Sequence, residues 1–166
     1  MPEAVKMAHW FVLALLSVIL AIASISDIRD RRIPNWTVLA TAALFVPWAF
    51  VGGDVSILGS LAGASIVFAI GLALYVFRVV GAGDTKLITA TSLFVGWGQL
   101  FPFLVLVALA GGVIAVVSLS MRPVRALVMF QMRGKGDFGR GVPYGVAIAI
   151  ATIAILSWPP LGRMLG

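Results

Sequence analysis

A chain of 166 residues, 61% of them hydrophobic and only 11% charged, with a mean hydropathy of +1.12, has too little polar surface for a water-facing domain; its solvent is lipid. The net charge of +6 would suggest nucleic acid in a soluble protein, but here the bases lie in short loops between apolar runs, where Lys and Arg set membrane orientation. With no cysteine and one histidine, disulfides, thiol catalysis and Cys-based zinc sites are excluded, leaving carboxylates, hydroxyls or lysine for any hydrolytic chemistry.

The apolar runs predict an all-α, polytopic membrane protein forming a single domain over residues 1–166. Crossing a bilayer takes roughly 20 helical residues, and spans are expected at about 9–26, 36–52, 57–78, 85–97, 100–121 and 142–159. Lys6 ahead of a run ending in Ala21-Ile22-Ala23 also has the look of a cleavable signal peptide. Cleavage there would export Asp27 and the three arginines that follow, so a retained first helix is the better reading. The fourth span is short, which implies tilting or enclosure by the other helices against a polar cavity. Gly96-Trp97-Gly98 and Pro102 separate it from the fifth.

Six crossings put ten of the twelve bases on one side and leave Lys6 and Arg163 on the other. The ten are expected in the cytoplasm, with both termini outside it. The one sizeable loop, 122–141, is basic and glycine-rich. It reads as a connector whose bases fix topology or touch anionic lipid head groups, or more sharply as a contact for a substrate or partner. Nucleic-acid binding is disfavoured because its aromatics are limited to Phe130 and Phe138.

The acids are Glu3, Asp27, Asp30, Asp54, Asp84 and Asp137. Glu3 lies near the N-terminus, Asp54 in a Gly52-Gly53-Asp54 turn, and Asp137 in the basic loop; all three read as solvated. Asp27 follows the first apolar run directly, and Asp84 opens the fourth on the same face of the membrane. Ionisable groups at that depth are costly unless they face a cavity or each other. If the two share a site, mutual repulsion leaves one protonated and one ionised near neutral pH. The ionised carboxylate can take a proton from a water attacking a peptide carbonyl while its protonated partner hydrogen-bonds the carbonyl oxygen. No metal and no cofactor are needed.

Gly81 and Gly83 precede this acid and suggest backbone conformations closed to other residues, exposing main chain to an extended peptide. The Walker spacing is absent from Gly81-Ala82-Gly83-Asp84-Thr85-Lys86, so nucleotide binding is discarded. Asn35 after Pro34 is suited to capping the second helix, and His9 is expected near the opposite membrane face.

The segment Asp27-Ile28-Arg29-Asp30-Arg31-Arg32-Ile33-Pro34-Asn35, together with Gly81-Ala82-Gly83-Asp84-Thr85-Lys86, resembles the paired signature of type IV prepilin peptidases, the GxGD membrane aspartyl proteases. Val142-Pro143-Tyr144-Gly145-Val146 is similar to that family's Pro-aromatic-Gly segment. The resemblance implies that Asp27 and Asp84 are the catalytic pair, removing a short positively charged leader from prepilins at the cytoplasmic face. Asp30 is the local competitor of Asp27, but Asp27 occupies the position matching the family aspartate. Gly81, Gly83, Lys86, Pro34, Asn35 and Tyr144 are the expected substrate-binding or site-supporting residues. Lys86 could steady a carboxylate, bind a substrate acid, or simply be a topology base.

Larger members carry an N-terminal region with Cys-x-x-Cys motifs and also methylate the new pilin N-terminus. The cysteine-free chain resembles instead the short, peptidase-only branch serving tight-adherence, Flp-type pili, in a bacterial cytoplasmic membrane; archaeal preflagellin peptidases are also similar. The implied partner is a prepilin whose apolar N-terminal helix packs beside the enzyme in the bilayer. From the residues alone, two other functions stay open: a small proton- or cation-coupled transporter using Asp27 and Asp84 as a relay, and a structural subunit of a secretion machine.

Overall fold

The computed structural model of the chain describes residues 3–51, 56–120 and 143–157. The regular elements among them are all helical: α1 (Glu3–Asp30), α2 (Asn35–Val51), α3 (Ile57–Val76), α4 (Ala82–Val95), a 3-10 turn (Trp97–Gln99), α5 (Leu100–Ser120) and α6 (Tyr144–Ser157). The basic loop 122–141 with Asp137, the turn acid Asp54, and Arg163 lie outside the described residues.

Each expected segment holds one helix, with two boundary corrections that bear on the site. Nothing in Asp27-Ile28-Arg29-Asp30 breaks a helix, so α1 runs on through Asp27 to Asp30. It stops at Arg31, whose left-handed backbone (φ 54) lets its amide bond the Asp27 carbonyl at 3.0 Å, a common helix terminator. The fourth helix starts three residues early, at Ala82, and so contains Asp84. Among the described residues, only Glu3–Asp30, Ile57–Val76 and Trp97–Ser118 are long and apolar enough to cross a membrane; α2 and α6 are shorter apolar helices. Shortness is therefore not confined to α4.

The helix α3 closes with a Schellman turn: the Val79 amide bonds Leu74 O and the Arg78 amide bonds Tyr75 O, both at 2.9 Å, with Arg78 in the left-handed region (φ 59). The break after α4 falls at Gly96, the one described glycine with positive φ (69°).

Packing places α4 at the centre, against α2, α3 and α6, while α1 joins α2 and α6 and α5 leans on α6. The main core gathers Leu16, Leu20, Leu87, Phe94 and Ile148; a second gathers Val67, Val95, Phe103 and Ile155. Large apolar side chains such as Phe11, Leu39, Phe50 and Phe101 face outward, as a lipid-immersed surface requires. The short α4 is enclosed, with Thr85, Leu87, Ala90, Thr91, Ser92, Phe94 and Val95 all buried. Its hydroxyls turn back onto preceding carbonyls, Thr91 to Leu87 O (3.0 Å) and Ser92 to Thr89 O (2.7 Å), which satisfies them without water.

Along α1, His9 stacks on Trp48 at 4.6 Å between ring centroids. At a rise of about 1.5 Å per residue, His9 is roughly 27 Å from Asp27, at the other end of the bundle.

Candidate active site

Asp27 sits on the last turns of α1 and is buried, at 6% exposure. Its Oδ2 accepts the Gly145 amide of α6 at 2.8 Å, and Ser24 Oγ donates to Gly145 O at 3.4 Å. The start of α6 is thereby clasped to the end of α1. A Cβ on Gly145 would lie 3.0 Å from Asp27 Oδ2 and 3.2 Å from Asp27 Cβ, so any larger residue there would push Asp27 or α6 aside by a few tenths of an ångström. The carboxylate also lies at the positive end of the α6 dipole.

Asp84 occupies the first turn of α4, where its carboxylate receives a backbone hydrogen bond from Gly81. This is the return half of a capping box, with Gly81 as the N-cap. A Cβ on Gly81 would come within 2.8 Å of Asp84 Oδ2. Thr85, next along, steadies the turn: its Oγ1 donates to Gly81 O (3.1 Å) and to Gly71 O of α3 (3.3 Å).

The two carboxylates line one cavity of about 300 Å³ together with Arg31, Arg32, Ile33, Asn35, Gly81, Ala82, Gly83 and Lys86. They lie close enough for their charges to interact. Lys86 Nζ donates to Asn35 Oδ1 at 3.3 Å, joining α4 to the start of α2 across the mouth. Two carboxylates from different helices, each supplied with a backbone N–H and surrounded by three basic side chains, can share a proton and work as an acid–base pair. The described residues assemble no group of three or more His, Cys, Asp or Glu side chains that could hold a metal ion.

Of the residues singled out in the sequence, Asp27, Asp84, Gly81, Gly83, Lys86 and Asn35 meet at this cavity. Pro34 lines an adjoining one, and its carbonyl accepts both the amide (3.1 Å) and the hydroxyl (2.7 Å) of Thr37. Asn35, expected as a cap, is the first residue of α2 and holds Lys86. Tyr144 does not line the cavity; its ring packs over Gly111 of α5, where a Cβ would meet it at 2.8 Å. Asp30 is exposed and outside the Asp27–Asp84 cavity.

The role expected for the two glycines needs correction. Neither has positive φ; Gly81 is extended, at φ −73 and ψ 149. They provide space instead, Gly81 for the Asp84 carboxylate and Gly83 for Ile33, whose Cβ would lie 3.2 Å from an added Cβ. Sequence reasoning missed Gly145, although the segment containing it had been noticed, and missed the Thr85–Gly71 contact, for which no local signal exists.

The sequence model of the type IV leader peptidase family matches residues 14–116, a stretch holding both aspartates and well over half of the chain. Comparison with curated proteins and with solved structures gives no match.

Proposed function

The chain belongs to the type IV leader peptidase family, and from that premise we propose that it is a membrane-embedded aspartyl endopeptidase whose dyad is Asp27 and Asp84. Its substrates are type IV prepilins or pseudopilins of the Flp kind, cut at the cytoplasmic face of a bacterial inner membrane without N-methylation. The observation that carries this reading is the shared cavity, into which α1 and α4 each bring one carboxylate.

In the reaction, a water held between the carboxylates loses a proton to the ionised one and attacks the scissile carbonyl. The protonated partner hydrogen-bonds the carbonyl oxygen. When the tetrahedral intermediate collapses, the C–N bond breaks and the amine leaves with a proton from the dyad. The Gly145 and Gly81 amides hold the carboxylates in place, and Lys86, fixed by Asn35, keeps a positive charge at the rim. The membrane topology that suits this site has six crossings, with α2, α4 and α6 as the short ones and both termini outside the cytoplasm. The substrate's own apolar helix lies alongside in the lipid.

The test is co-expression with a Flp-type prepilin, following leader removal by mobility shift. Asp27→Asn and Asp84→Asn, each inserted normally, should each lower cleavage by about a hundredfold or more. Retained cleavage in both would sink the aspartyl mechanism. Reporter fusions after Arg32 and after Lys135 should both report the cytoplasm; an external signal from either breaks the six-crossing topology.

A further inference from the structure

Five charged side chains share the dyad cavity of about 300 Å³: Asp27, Asp84, Arg31, Arg32 and Lys86. Opposite charges so confined attract strongly where water is scarce. Arg31 does act on Asp27 through its charge. Lys86 behaves differently. Among the described residues it forms no ion pair with either aspartate, and its Nζ donates instead to the neutral carboxamide of Asn35, at 3.3 Å.

Asn35 is available for this contact because its side chain bonds nothing in its own helix. It is already the first residue of α2, and the amide and hydroxyl of Thr37 are both met by Pro34 O. The same seam is fixed a second time by Ile33, whose Cβ lies 3.2 Å from the place a Gly83 Cβ would take. The start of α2 is thus held on the start of α4 at two points, and Lys86 is tied at both ends of its side chain.

A carboxyl pair that shares one proton needs one member to stay protonated. An ammonium in contact with that member would hold it ionised, and the pair would lose its acid. Lys86 and both aspartates line one cavity, so an untethered ammonium has carboxylates within its reach. Two effects oppose that move. Asn35 and Lys86 are exposed, so the ammonium keeps its hydration at the rim, whereas contact with the buried Asp27 would strip it. The carboxamide adds a fixed acceptor on the outer side.

We infer that Asn35 is a positioning residue, whose carboxamide holds the Lys86 ammonium at the rim and off the dyad so that Asp27 and Asp84 keep their shared proton. This inference rests on the peptidase reading above and deepens it. Asn35 acts through Lys86 and takes no part in bond cleavage.

The test uses the full-length enzyme in membranes with a Flp-type prepilin, rates being taken per inserted molecule. Asn35→Ala should lower kcat about fivefold, with KM much less changed. Lys86→Met sets the reference, because it removes the cation together with its tether. The Asn35→Ala/Lys86→Met double variant should cleave within about twofold of Lys86→Met and faster than Asn35→Ala alone. A side chain that merely braces α2 would give no such recovery. The inference is overturned if Asn35→Ala keeps the native kcat, or if the double variant is no faster than Asn35→Ala. Failure of Asn35→Ala to insert, unrepaired by Lys86→Met, marks Asn35 as structural and overturns it too. Any of these results, with cleavage still dependent on Asp27 and Asp84, leaves the peptidase reading standing. Absence of cleavage by the native enzyme, or cleavage indifferent to Asp27 and Asp84, refutes that reading and the role of Asn35 with it.

Discussion

Asp27 and Asp84 reach the same cavity by different routes. Asp84 is held locally: the amide that bonds it, Gly81, lies in the turn that opens its own helix. Asp27 is held from a distance, by an amide 118 residues further along the chain. A local contact forms with its helix, while a long-range one exists only once α1 and α6 have docked. The setting of Asp27 thus depends on the assembly of the whole bundle, and that of Asp84 depends chiefly on its own turn and its bond to α3.

Gly145→Ala should break this asymmetry most severely. The added methyl meets the stiff Cβ of Asp27 as well as its oxygen, so the carboxylate must move or α6 must back away. With Asp27 as a member of the proposed dyad, a displacement of a few tenths of an ångström should cost kcat about five- to tenfold, with KM much less changed. A Gly145→Ala enzyme with native kcat would show that the α6 contact is dispensable.

Gly71→Ala comes next and strikes the support of Asp84. Its Cβ would lie 2.6 Å from Thr85 Cγ2, a methyl on a β-branched side chain with little freedom to turn aside. Overpacking of this kind costs about 1–3 kcal/mol, to be read as a lower unfolding temperature in detergent together with a partial loss of cleavage. The smallest effect is expected from Gly81→Ala. There the methyl meets only the far oxygen of Asp84, and rotation of the carboxylate relieves the clash. Activity should fall only about two- to threefold, well short of the Gly145→Ala loss. If Gly81→Ala proves the more damaging, the contrast between local and distant support is wrong.

Much of the architecture was legible because apolar runs and breakers report directly on helices. The six helical segments and the Gly96 break follow from that patterning, and enclosure of the fourth helix is one of the two alternatives, tilting or enclosure, that its shortness offers. The ends of α1 and α4 were misjudged because polarity was taken as a stop. A helix ends where its backbone is capped or turned, here at Arg31, and not where charge begins. The pairing of Asp27 with Asp84 was legible through spacing and resemblance. The glycine roles were not, since Gly83 is small because Ile33 crosses over it, a neighbour fifty residues away in sequence. Tyr144 drew attention as the more chemically versatile residue, but its side chain faces α5 while the adjacent amide serves the site.

The bond from Thr85 to Gly71 has a consequence for the lipid environment. The helix α3 packs chiefly on α4 and the 3-10 turn, and much of its surface faces outward, including Leu58, Leu61 and Phe68. Its 20 residues span roughly 30 Å, close to the thickness of a hydrocarbon core. A thinner or thicker bilayer tilts such a helix. Because α3 grips the hydroxyl adjoining Asp84, hydrophobic mismatch would reach the dyad mechanically, and reconstitution in lipids of graded acyl length would tune turnover without changing a single residue.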